Sequence, residues 1–137
     1  MGARVLVIDD QAVMLAAAGN ALRAAGLEVL TTSQTVGAAR HLRGCELVLL
    51  DYHMPGLDGP AVLSSLREAA AGMEERPDFY LYTSDAAAAC GWQALGFDGA
   101  IANKGDEEHL VLQVQAALRG RKLRQVRVRA SKAPPPR

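Results

Sequence analysis

The chain has 137 residues, half of them hydrophobic, and a formal net charge of zero. That length suits one domain with a proper buried core, and with no apolar run near the ~18 residues of a membrane span, no membrane insertion is expected. The zero hides a segregation, because all fifteen acidic residues lie between Asp9 and Glu108 while eight of the fifteen basic ones lie at or after Arg119, so residues 1–118 carry −8 and residues 119–137 carry +8.

The opening MGARVLVIDD has no basic-then-apolar leader with a cleavage site, so no secretion signal is expected. Cys45 and Cys90 have no metal-ligand spacing and are expected to be reduced, which together with the missing leader points to the cytoplasm. Residues 4–9 (RVLVID) form a β-branched run that ends in acids, followed by an alanine-rich amphipathic stretch that Gly26 would terminate. EVLTT (28–32) is a second strand and VGAARHLR (36–43) a short helix. ELVLLD (46–51) is the third strand, and DGPAVLSSLREAAA (58–71) a helix with Pro60 tolerated in its first turn. DFYLYT (78–83) is the fourth strand, an alanine-rich helix to about Leu95 follows, and FDGAIA (97–102) is a weaker fifth strand. Asp106 caps a last helix whose first turn holds Glu107 and Glu108, which favour the positive end of the helix dipole.

Five strands alternating with five helices predict an α/β fold, a doubly wound parallel sheet with right-handed crossovers and helices on both faces. In such sheets ligands sit beyond the carboxyl ends of the strands, where the strand order reverses. Those ends carry Asp9 and Asp10, Asp51, Thr83 with Ser84, and Lys104. Each alone has an ordinary reading: a helix N-cap, a satisfied strand end, a solvated lysine. Together at one sheet edge they read as a site. If the first and third strands are neighbours, three carboxylates crowd together, and a divalent cation relieves their repulsion. Oxygen-only ligands select a hard metal, Mg²⁺. A Mg²⁺, a lysine and a hydroxyl around Asp51 suit phosphoryl oxygens, with Asp51 as the nucleophile.

The motifs VLVIDDQ, LVLLDYHMPGLDG, LYTSD and NKG stand in an order and at separations that resemble the receiver domain of two-component response regulators, similar to the chemotaxis regulator. The resemblance covers residues 4 to about 119, and its second motif is the most specific. It implies a flavodoxin-like (βα)5 fold with strand order 2-1-3-4-5. It implies Asp51 as phosphoacceptor, Asp9 and Asp10 as the acidic pair that holds Mg²⁺ with Asp51 and the backbone carbonyl of His53, Thr83 as the switch hydroxyl and Lys104 as its cationic partner. The phosphoryl donor would be a histidine kinase or phosphotransfer protein, and the output an unidentified protein target. His53 and Asp85 occupy the positions that in the family tune the lifetime of the phosphoryl group. On this reading the chain is a signalling phosphoacceptor and not an enzyme acting on an external substrate.

The fifth strand departs from the family pattern. Counting back three from Lys104 gives Ile101, counting forward from GFDG gives Ala100, and neither is the usual aromatic; the lysine register is preferred, with Asn103 as the extra residue. A pseudo-receiver, the same fold used as an interaction module without phosphorylation, is therefore the alternative. A metal-dependent phosphatase ranks last, because that group carries a second Asp two residues past the nucleophile, where this chain has His53. On this resemblance residues 1–119 would form the receiver domain, and residues 120–137, RKLRQVRVRASKAPPPR after Gly120, are expected to be a flexible basic tail. Within it QVRVR alternates at period two and could add a strand. Nucleic acid would bind only through this tail, and with no aromatics among its charges that reading is not favoured. His41, His109 and Trp92 read as surface or packing residues.

Overall fold

The run Leu47–Asp51 has every residue buried, which only the centre of a sheet covered on both faces permits. The structure, a computed structural model, describes residues 2–52, 54 and 59–132, the last two by backbone alone. Five parallel strands, β1 (Arg4–Ile8), β2 (Glu28–Thr32), β3 (Leu47–Asp51), β4 (Asp78–Tyr82) and β5 (Gly99–Ile101), form one sheet in the order β2-β1-β3-β4-β5. This is the flavodoxin-like order that the family resemblance implies.

Side chains alternate across the sheet, as a period of two requires. Leu6, Ile8, Val48, Leu50, Phe79 and Leu81 face one core, shared with helix α2 (Gly59–Ala70), which contributes Leu63 and Leu66. Val5, Val7, Leu47 and Leu49 face the other, closed by α1 (Ala12–Ala24) through Leu15 and Leu22 and by α4 (Glu107–Lys132) through Leu110 and Val114. Each side chain of this size contributes about 1.5–3 kcal/mol on full burial. The edge strand β5 is only three residues long, and its Gly99 has a steric reason. A Cβ there would lie 2.5 Å from the Tyr80 ring of β4, its register partner.

Two helical expectations are corrected, and so is one possible strand. Residues 36–43 hold only a 3-10 turn, Ala38–His41, because Gly37 and Gly44 on either side take left-handed φ of 81° and 82°. The helix after the fourth strand, α3 (Ala86–Cys90), ends at Gly91 and gives way to turns, so Trp92 packs half-buried on the core from outside any helix. Beyond residue 119 the chain stays helical through Lys132, so QVRVR lies within α4 and is not a strand. The continuation has a tertiary anchor: Arg121 is buried and lies 3.5 Å from Asp78, which also pairs with Arg124. Burial pushes the Asp78 carboxyl above its ordinary range, against the pull of the two arginines.

Candidate functional site

Strand order decides which ends meet. Because β1 and β3 are neighbours, Asp9, Asp10 and Asp51 converge just beyond them, each offering a carboxylate oxygen within 4.8 Å of the others. Asp9 and Asp51 are buried and Asp10 is exposed. Asp9 is oriented locally, since its Oδ1 accepts from the Gln11 backbone N–H at 2.9 Å.

Lys104, from the loop after β5, reaches the same point: its Nζ lies 2.5 Å from Asp9 Oδ2 and 3.3 Å from Asp51 Oδ2. Of the two registers left open by the sequence, the structure selects the lysine one. Asn103 takes up the extra residue with a left-handed φ of 58°, a conformation asparagine tolerates better than most residues. Ile101 is buried in the α1/α4 core, and no aromatic stands on β5. Burial works against the Lys104 charge, but its contact with Asp9 and the charges of Asp51 and Asp9 outweigh that and raise the amine above its ordinary value.

Thr83, the residue after β4, is buried. Its backbone N–H donates to the Ile101 carbonyl, and its hydroxyl oxygen accepts from the Asp85 N–H at 3.0 Å. The hydroxyl also carries a proton that it can donate to a ligand. Asp51, Thr83 and Lys104 line a cavity of about 150 Å³ with Gln11, Met14 and Ser84. Asp85 has a structural duty, because its Oδ1 accepts from the N–H groups of Ala87 and Ala88 and caps α3. His53, expected to lend a backbone carbonyl and to tune the phosphoryl group, lies outside the described residues.

Sequence reasoning missed Tyr82. It is buried, its ring centroid lies 5.7 Å from Lys104 Nζ, and its hydroxyl accepts from the Gly105 N–H at 3.4 Å. An aromatic therefore does adjoin the lysine, supplied by β4 instead of β5. Its place in LYTSD, one residue before the hydroxyl, was the available signal.

The donor set fits Mg²⁺. Three carboxylates against one ammonium leave two formal negative charges unbalanced at a partly buried point, and Asp9 Oδ2, despite its short contact with Lys104, has no aligned hydrogen-bond donor among the described residues. A hard divalent ion ligated by oxygens satisfies both needs. Among the described residues no helix is long and apolar enough to cross a membrane.

Comparison with known proteins agrees with this architecture. The transcriptional regulatory protein PrrA of Mycobacterium tuberculosis is 41% identical over 69 residues, covering 47% of this chain and 28% of that protein; the chain thus spans little more than a quarter of the curated relatives it matches. The solved chemotaxis response regulator CheY4 of Vibrio cholerae superposes with a TM-score of 0.70 at 20% identity, over 85% of this chain and 99% of that one. NtrX from Brucella abortus gives a TM-score of 0.76 at 23% identity, over 91% of this chain and 29% of that one. These two likenesses concern the fold. Residues 5–115 match the family described as the response regulator receiver domain, and the chain belongs to that family.

Proposed function

We propose that Asp51 accepts a phosphoryl group from a phosphohistidine of a histidine kinase or phosphotransfer protein in the cytoplasm, and that the phosphorylated chain signals through protein contacts. The observation that carries this reading is Lys104 standing between Asp9 and Asp51 at the mouth of the sheet. An Asp51 carboxylate oxygen forms the new bond to phosphorus as the phosphorus–nitrogen bond of the donor breaks, and the leaving imidazole takes up a proton. Mg²⁺, held by Asp9, Asp10 and Asp51 with the His53 carbonyl proposed as a further ligand, would neutralise charge on the transferring phosphoryl oxygens. Lys104 offers its ammonium to the same oxygens, exchanging part of its attraction to Asp51 for the phosphoryl group. Thr83 has a hydroxyl proton to donate, and its strand-end position joins it to the Ile101 carbonyl of β5. Tyr82 holds the Gly105 amide and so fixes the loop that carries the lysine.

The test uses acetyl phosphate with Mg²⁺ and mass spectrometry. The expected product is an acid-stable, base-labile phosphoryl adduct on the wild type that is absent from Asp51→Asn. An adduct that persists in Asp51→Asn overturns the assignment of the acceptor. No adduct on either protein favours the pseudo-receiver.

A further inference from the structure

Helix α4 is apolar on two opposite sides. One side, with Leu110, Val114 and Ala117, is buried against α1 and the sheet. The other is open: Leu112, Leu123 and Val126 are 63%, 60% and 56% exposed, and Ala116 and Ala130 are exposed with them. Together with Arg119, these positions follow one another in alternating steps of four and three residues, the a/d spacing of a coiled-coil seam. The stripe runs for about 27 Å at 1.5 Å per residue. Its flanks hold Lys122, Arg127 and Arg129, the last also 3.8 Å from Glu75, among neutral residues, and the sequence has no acid after Glu108.

Charge decides what can cover such a seam. In a parallel pair of two copies Arg119 would meet Arg119 inside the interface and Lys122 would face Arg127; an antiparallel pair again sets basic flanks against basic flanks. Like charges directly opposed are repulsive, and a buried, unpaired arginine is worse. A helix with acidic flanks reverses every one of these terms.

We propose that the open face of α4 docks an acidic amphipathic helix of a partner protein, one with apolar residues at heptad spacing, acidic flanks and a carboxylate opposite Arg119. The apolar positions supply buried area, the basic flanks steer the encounter, and Arg119 sets the register as a single polar seam residue does. Arg121 and Arg124 are turned to Asp78, so docking leaves that anchor intact. The proposal does not depend on phosphorylation of Asp51.

The test titrates the full chain by calorimetry, at physiological salt, with a synthetic peptide of about four heptads carrying Leu in the seam, Glu on the flanks and one Glu within the seam. A scrambled peptide of the same composition, a DNA duplex, and vesicles of phosphatidylserine in phosphatidylcholine serve as competitors for the reading. Binding at least about tenfold tighter to the heptad peptide than to the scrambled one, reduced about tenfold by Leu123→Gln with Val126→Gln, is expected. Both changes sit at exposed positions, and an unchanged thermal melt verifies the fold. Equal binding of both peptides, or no binding of the heptad peptide, overturns the proposal. So does tighter binding of DNA or vesicles that the double variant leaves unchanged, or a dimer in sedimentation equilibrium that the double variant dissolves.

Discussion

Replacing Lys104 by Met keeps the aliphatic stem and removes the ammonium that lies 2.5 Å from Asp9 and 3.3 Å from Asp51. The change takes an attraction away from two buried carboxylates and leaves them without their cation, and breaking a buried pair from one side is expected to cost about 3–5 kcal/mol at pH 7. The sign follows from linkage: in the wild type the raised Lys104 amine contributes stability that is complete below its ordinary value and is lost as pH rises through the raised one. The difference between wild type and variant should therefore be flat up to about pH 10 and shrink above it. Urea unfolding followed by far-ultraviolet circular dichroism at several pH values from neutral to strongly alkaline reads both the size and the slope. Mg²⁺ at about a hundred times its Kd should return about 2.7 kcal/mol to the variant at pH 7. A loss that does not shrink at the alkaline end would mean that the lysine matters through packing, and the charge argument would fail.

Other substitutions probe different links of the same chain of reasoning. Tyr82→Phe removes the acceptor of the Gly105 amide and should cost about 0.5–1 kcal/mol, with faster hydrogen exchange at Gly105 by NMR; unchanged exchange would show that the hydroxyl holds nothing. Gly99→Ala forces a Cβ to within 2.5 Å of the Tyr80 ring and is expected to lower stability by about 1–3 kcal/mol in a thermal melt, whereas a neutral result would mean that the ring swings freely aside. Asp78→Ala leaves the buried Arg121 without its carboxylate, so amide exchange across residues 119–130 should accelerate about tenfold or more, and unaltered protection would place the anchor of the helix elsewhere.

The sheet and the strand-end acids were legible because both rest on local rules. Residues 47–51 can only be a doubly covered strand, and parallel topology sends every strand end to one edge. The helices were less legible where glycines interrupt an otherwise helical composition, as at Gly37 and Gly91. The register after β5 needed the structure, because the sequence alone cannot say that Asn103 absorbs a residue by turning left-handed. The continuation of α4 past residue 119 was hidden for a different reason. Its anchor pairs Arg121 with Asp78, forty-three positions earlier, and a run such as VRVR has the same spelling whether it lies in a strand or a helix. Tyr82 was invisible as a site residue because strand alternation accounts for it completely until β5 is placed beside it.

Asp78 and Thr83 stand at opposite ends of the short strand β4, the first clasped by the arginines of the α4 extension and the second at the mouth of the site. The two residues are separated by roughly 17 Å, at about 3.3 Å per residue in a parallel sheet, so one strand joins the anchored carboxylate, as a handle, to the rim of the site. Trimming the chain after residue 119, where charge segregation invites a cut, would discard both arginines and leave a half-buried carboxylate at the start of β4. The basic segment is better understood as the strut that braces β4 than as an appendage to be removed.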